Sequence, residues 1–280
     1  MTRVELAPGF SLNVETWGEG PPLVVLHGFT GSSRAWGEFG RLLGRSFRCI
    51  GVDIVGHGES DAPDDVSRYR IEAAAGDAVA AVRACGVEQA PWLGYSMGGR
   101  TAIAVACLHP GAVSALVTIG ASPGIADASE RAARRLADEA LADRIEREGI
   151  EAFVVYWESL PLWATQERLP ADVRDAQRAI RLANRPRGLA NSLRGMGAGA
   201  QPPFHGALRD LRVPFLALAG ELDTKYVQAA AAMAALAPHA RAETIPGAGH
   251  AAQLEAPAET AAAVTRFLAE SAHLPLEAHL

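Results

Sequence analysis

A serine hydroxyl becomes a nucleophile or a base only when an imidazole takes its proton and an acid fixes the tautomer of that imidazole. The chain supplies all three residue types, far apart in order. Ser96 sits in Gly94-Tyr95-Ser96-Met97-Gly98, a G-x-S-x-G sequence. Asp223 closes Gly220-Glu221-Leu222-Asp223, and His250 closes Pro246-Gly247-Ala248-Gly249-His250. Context matters more than the five letters around Ser96. An apolar run, Ala90–Leu93, leads into them and a helix-like stretch ending at Leu108 follows. A serine on such a strand-to-helix turn is pushed out of the sheet with its hydroxyl exposed. Simpler readings compete: a Gly/Ser turn without chemistry, a helix N-cap at Asp223, a surface loop histidine at His250. Glu221 competes with Asp223 as the acid, but it lies closer to the preceding strand.

A negative charge that develops beside Ser96 needs backbone donors. The N–H of Met97 is one. The second is expected from the loop His27-Gly28-Phe29-Thr30-Gly31, which follows the apolar run Leu23–Leu26, with the N–H of Phe29 as the donor. Gly56–Ser60 reads as a structural turn beside the pocket, with His57 and Asp53 in packing roles.

These residues need a scaffold, and the pattern along the chain supplies an α/β one. Arg3–Leu6 and Ser11–Thr16, broken at Pro8-Gly9, read as a β-hairpin. Leu23–Leu26, Phe47–Ile54, Ala90–Leu93, Ala115–Gly120, Pro214–Ala219 and Ala242–Ile245 read as strands. Glu72–Cys85, Met97–Leu108, Val227–Leu236 and Ala258–Leu268 alternate with them as helices. That alternation predicts a mostly parallel central sheet with helices on both faces. Between about 123 and 212 the strand signals stop. Ser129–Glu148, Ile150–Glu158, Ala171–Leu182 and Gly188–Met196 are helical in character. The organisation expected is a core of 1–122 and 213–270, a helical cap at 123–212, and a tail at 271–280. Asp223 and His250 then fall just beyond strands, where ligands collect in open α/β sheets.

Composition narrows the function classes. The 280 residues are 49% hydrophobic and 21% charged, with a net charge of −6, and no long basic block suggests a nucleic-acid partner. Lys225 is the only lysine, so any anion site is built from arginine. Cys49, Cys85 and Cys107 are scattered and read as buried thiols of a reducing cytosol. No apolar leader follows Met1 and no 18-residue apolar run occurs, so a cytoplasmic location without membrane contact is expected. No metal-pair spacing, phosphate loop or flavin fingerprint implies a cofactor or metal.

Together these features resemble the α/β-hydrolase superfamily, in which the triad follows the chain order Ser, Asp, His. A narrower likeness runs through Leu26–Gly31 with Trp36, Gly94–Arg100, Ser122–Ile125 with Glu130–Arg134, Tyr156-Trp157-Glu158, Gly188–Leu193, Gly220–Lys225 and Pro246–His250. These segments, in this order, are similar to the menaquinone-pathway 2-succinyl-6-hydroxy-2,4-cyclohexadiene-1-carboxylate synthase family. That resemblance implies the α/β-hydrolase fold and a lyase, acting on a small polycarboxylate, that removes a proton next to a carboxylate and expels pyruvate. It implies catalytic Ser96, Asp223 and His250, and substrate-binding Arg100, Arg134, Arg181, Tyr95 and Trp157. Planar guanidinium groups suit such a substrate because they bind carboxylates bidentately and stay charged when desolvated. Arg100 lies one turn beyond Ser96. Arg134 has Asp138 four residues on as a rival partner, while Arg178 and Arg185 are substitutes for Arg181. Arg131 and Arg135 are less favoured. The rival activity is a serine hydrolase, an esterase or a C–C bond hydrolase, that works through an acyl-enzyme. A ligand receptor without chemistry is the non-enzymatic rival.

Overall fold

The computed structural model describes residues 2–272. Its frame is one eight-stranded sheet: β1 (Thr2–Ala7), β2 (Phe10–Trp17), β3 (Pro22–Leu26), β4 (Arg48–Val52), β5 (Ala90–Tyr95), β6 (Val113–Ile119), β7 (Phe215–Gly220) and β8 (Ala240–Ile245). The spatial order is β1-β2-β4-β3-β5-β6-β7-β8. The β1–β2 and β2–β4 pairings are antiparallel and every other pairing is parallel. β3, β5, β6 and β7 are almost wholly buried, as expected of strands covered on both faces.

Two apolar layers cover the sheet. On one face α2 (Ile71–Ala84), α3 (Met97–Leu108) and α8 (Thr224–Leu236) pack around Val24, Trp92, Leu116 and Phe215. On the other, α1 (Gly37–Leu43), the short α9 (Ala252–Glu255) and α10 (Pro257–Ser271) pack around Leu23, Leu93, Val117 and Leu218. α1 has no counterpart in the sequence reading. Its seven residues, Gly37–Leu43, are too short to show a periodic stripe.

β4 is shorter than the apolar run Phe47–Ile54 suggests. At Asp53 the backbone N–H donates to the Asn13 carbonyl, and the carboxylate accepts from Ser33 N–H, Glu59 N–H and Asn13 Nδ2. That buried hub ends the strand and shapes the next loop, as a structural Asp53 was expected to do.

Between β6 and β7 the chain forms helices joined by loops, with no strand among the described residues. α4 (Ala128–Glu158) bends at Gly149, whose φ of 79° and ψ of 175° separate two helices where the sequence suggested a break. A 3₁₀ segment, Pro161–Arg168, precedes α5 (Ala171–Leu182), α6 (Pro186–Met196) and the short α7 (His205–Leu208). α4 and α6 share a small core of Ala142, Ile145, Phe153, Val154, Leu189 and Leu193, and Phe29 of the β3 loop packs against it. Arg194 ties the pair together through Glu139, Asp143 and Glu146.

Only Cys49 of the three cysteines is fully buried; Cys85 and Cys107 are half-buried, which corrects the reading of three buried thiols. Both lie toward the ends of their helices, where solvent reaches. The expected tail at 271–280 begins with Ser271, still the last residue of α10, and 273–280 lie outside the described residues. Among the described residues no helix is long and apolar enough to cross a membrane.

Candidate active site

The turn between β5 and α3 brings Ser96 out of the sheet. Its φ of 51° lies in the left-handed region that a non-glycine residue adopts at a cost. The turn can be this tight because Gly94 and Gly98 lack side chains. A Cβ on Gly98 would collide with the Leu26 carbonyl, and one on Gly94 with the Gly98 carbonyl. The Ser96 N–H donates to the Ile119 carbonyl at 2.8 Å, which fixes the turn to β6.

Asp223 and His250 arrive from the loops after β7 and β8. His250 Nδ1 lies 2.7 Å from Asp223 Oδ2, and His250 Nε2 lies 3.0 Å from Ser96 Oγ. An Nδ1–H that donates to the carboxylate leaves Nε2 with a lone pair for the serine hydroxyl. His250 is almost fully enclosed, with Tyr226 at 4.7 Å, Tyr95 at 5.4 Å and Trp163 at 5.7 Å between ring centroids. Glu221 takes no part, because its carboxylate accepts the Gly247 N–H at 2.8 Å on the exposed side.

The His27–Gly31 loop lies against the serine. A Cβ on Gly28 would sit 3.5 Å from Ser96 Cβ. Ile54 N–H donates to His27 Nε2, so the His27 proton sits on Nδ1 and donates to the Gly28 carbonyl at 2.8 Å. Burial holds His27 neutral by lowering its pKa. Gly31 N–H donates to the same carbonyl at 3.0 Å. In a trans peptide the next N–H, that of Phe29, points the opposite way. Neither Phe29 N–H nor Met97 N–H has a protein acceptor among the described residues. Two unused donors beside an activated hydroxyl can stabilise an oxygen that gains negative charge.

His57 is a buried packing residue, 5.2 Å from His27 and 5.8 Å from Phe29 between ring centroids. Burial pushes its pKa down to about 3.

The arginines differ sharply in their partners. Arg100 Nη1 donates to the Met196 carbonyl at 2.7 Å and to Gln201 Oε1 at 2.6 Å. Neither partner is an acid, and desolvation lowers the guanidinium to about 10, so it stays charged at neutral pH. Arg134 is half-exposed and paired with the buried Asp138 at 2.7 Å, the rival partner its spacing allowed. Arg181 is buried. It donates to Glu158 at 2.8 Å and lies 5.5 Å from the Trp163 ring. Arg178 takes the other oxygen of Glu158. Arg185 turns away to the Gly58 and Ser60 carbonyls, and Arg131 to those of Ile125 and Ala126.

A cavity of about 460 Å³ including its mouth opens beside the His27–Gly31 loop, lined by Phe29, Tyr95, Trp163, Arg181 and Gln253 among others. The Tyr95 hydroxyl is buried with no protein partner among the described residues, and desolvation raises its pKa. Trp157 stands one layer back, packed on Phe29, Phe153 and Trp163. The 3₁₀ segment after Glu158 swings Trp163 over His250, so Trp163 takes the lining position expected of Trp157. Sequence reasoning also missed Tyr226, although it sits one helical turn beyond Asp223, a spacing that could have revealed it. Gln201 carried no signal.

A doubly covered parallel sheet with a strained serine at a strand-to-helix turn, an acid after β7 and a histidine after β8 defines an α/β-hydrolase. The family model described as alpha/beta hydrolase fold matches residues 21–257, and the chain belongs to that family. Its relatives are narrower. The chain is 41% identical, over 89% of its own length and 92% of the other's, to a Bacillus subtilis (strain 168) protein provisionally named 2-succinyl-6-hydroxy-2,4-cyclohexadiene-1-carboxylate synthase. It is 34% identical, at the same coverages, to the Enterobacter sp. (strain 638) protein of that name, and the chain belongs to this group. Among solved structures, MenH from S. aureus superposes with a TM-score of 0.88 at 32% identity, covering 94% of this chain and 99% of that one. A malate-bound thermophilic esterase from Thermogutta terrifontis superposes with a TM-score of 0.84 at 27% identity, covering 97% and 99%.

Proposed function

We propose that the protein is a carbon–oxygen lyase of menaquinone biosynthesis. It eliminates pyruvate from 2-succinyl-5-enolpyruvyl-6-hydroxy-3-cyclohexene-1-carboxylate and leaves 2-succinyl-6-hydroxy-2,4-cyclohexadiene-1-carboxylate. Residues 1–122 and 213–270 form the catalytic core, and 123–212 form a cap that supplies binding groups. The observation that carries this reading is a serine–imidazole pair at 3.0 Å on a turn whose helix also carries Arg100, one turn beyond Ser96, a guanidinium hydrogen-bonded only to neutral groups. The named relatives, which match along most of the chain, support the same activity.

In this mechanism His250 draws the proton from Ser96, and the serine oxygen removes an acidic ring proton from the substrate. Asp223 holds the tautomer and stabilises the imidazolium that forms. The electron pair left on the ring carbon moves into the new diene, and the enolpyruvyl group departs as pyruvate enolate. Proton return from His250 completes pyruvate and resets the site. The N–H groups of Phe29 and Met97 stabilise the negative charge that builds on a substrate oxygen. Arg100, Arg134 and Arg181 provide cations for the carboxylates, and Tyr95 and Trp163 line the pocket with Trp157 packed behind them. A serine hydrolase would use the same triad through an acyl-enzyme, and the curated relatives favour the lyase. The test is to supply the enolpyruvyl substrate and follow pyruvate with a coupled dehydrogenase. Release that scales with enzyme supports the assignment; release at the uncatalysed rate overturns it.

A further inference from the structure

One residue that no motif singled out joins the cap to both loops behind the catalytic serine. Asn184 lies in the turn between α5 and α6 and is 4% exposed. Its Nδ2 donates to the Thr30 carbonyl at 2.9 Å, and its Oδ1 accepts the Gly58 N–H at 3.1 Å. The same Nδ2 reaches the Ile180 and Arg181 carbonyls at 3.0 and 3.3 Å, which anchors the side chain to the end of its own helix. Thr30 is one of two non-glycine residues with positive φ among the described residues, at 67°; the other is Ser96. Its strain has to be held by its surroundings. The Thr30 carbonyl and the Gly31 N–H belong to one peptide, and that N–H holds the Gly28 carbonyl opposite the Phe29 N–H, so the peptide that Asn184 clamps sets where the Phe29 N–H points.

We propose that Asn184 is a positioning residue for the reaction: by clamping Thr30 it aims the Phe29 N–H at the oxyanion, so the oxyanion hole is complete only when the cap is docked. The inference rests on the functional reading of Phe29 given above. Its physical content is a division of labour within one loop. His27 and Gly31 fix the Gly28 carbonyl from the core side, and Asn184 fixes the Thr30 carbonyl from the cap side. Arg181 lies on the same turn as Asn184, three residues earlier, so one cap element touches both the cavity and the oxyanion loop.

The experiment is a double-mutant cycle of Asn184→Ala with Thr30→Gly, read in kcat and KM for pyruvate release. Asn184→Ala is expected to lower kcat by roughly 10- to 100-fold, below the full loss of an oxyanion donor, while KM moves less than threefold. Glycine adopts positive φ without strain, so in the Thr30→Gly background the same change is expected to cost severalfold less. Asn184→Ser, which keeps a short donor, takes its place should the alanine variant fail to melt cooperatively. A second readout is the rate at which a fluorophosphonate labels Ser96. That rate depends on the oxyanion hole and not on the lyase reaction, so it stands even if no pyruvate is released. Slower labelling of the variant supports the inference. An unchanged kcat, a loss confined to KM, additive effects in the cycle, or equal labelling of wild type and variant overturns it.

Discussion

The two halves of the site are built in different ways. The triad and the oxyanion loop come from backbone turns at the ends of β3, β5, β7 and β8, and each polar group there has one geometry open to it. Ser96 is held at φ 51°, His250 is fixed by Asp223, and Glu221 is tied to Gly247. The guanidiniums come from long side chains on helices, and their partners differ from one to the next. Arg100 has neutral partners, Arg134 has Asp138, and Arg181 shares Glu158 with Arg178. The geometry of the proposed triad is therefore set by the sheet, and the anion binding proposed for the arginines is set by which acids are already present. The fold could keep the first and change the second with a few substitutions.

The largest effect should come from the sheet-built half. Asp223→Asn is expected to lower turnover by about 10⁴-fold through the wrong imidazole tautomer, as in serine proteases. A steady-state rate near wild type would remove Asp223 from the mechanism. Next is the contrast between arginines. Arg100→Met should lower kcat/KM by roughly 100-fold, the range for a desolvated charge contact. Arg134→Met should lower kcat/KM less, because the group is half-exposed and already paired. The same change should lower Tm more than Arg100→Met does, because it leaves Asp138 buried without its cation. Reversal of either order would break the distinction drawn from their partners. A smaller effect is expected from Glu158→Gln, which removes the anion that competes for Arg181. KM for the carboxylate substrate should fall a few-fold, and a rise would mean that Glu158 helps to bind.

The last effect concerns stability and not turnover. His57 titrates near 6.5 in an unfolded chain and at about 3 when folded. The unfolded state thus binds more protons below pH 6.5. This stabilisation is complete above that pH and is lost as pH falls toward about 3, by up to about 1.4 kcal/mol per pH unit. Denaturant midpoints of His57→Gln should be less sensitive to acid than those of wild type. Equal slopes would show that His57 does not control the acid response.

Local signals made the sheet-built half legible. The glycines around Ser96 and the apolar runs before Ser96, Asp223 and His250 are contiguous in sequence, and so were readable. The rest depends on contacts between the helical segment and the core, which leave no periodic trace. Trp163 reaches His250 because a 3₁₀ segment folds it back, and Gln201 reaches Arg100 from a residue 101 positions away. Asn184 reads locally as an ordinary helix-end residue. Only Tyr226, one turn after Asp223, sat within reach of sequence reasoning and was overlooked.

The most direct test of the central claim compares wild type with Ser96→Ala under single-turnover conditions, following substrate binding and pyruvate release together. Ser96→Ala should bind the substrate with affinity close to wild type and release pyruvate at least 10³-fold more slowly, on the order seen when a triad nucleophile is removed. Pyruvate release within tenfold of wild type would show that another group takes the proton, and the mechanism built on the Ser96–His250 pair would be wrong.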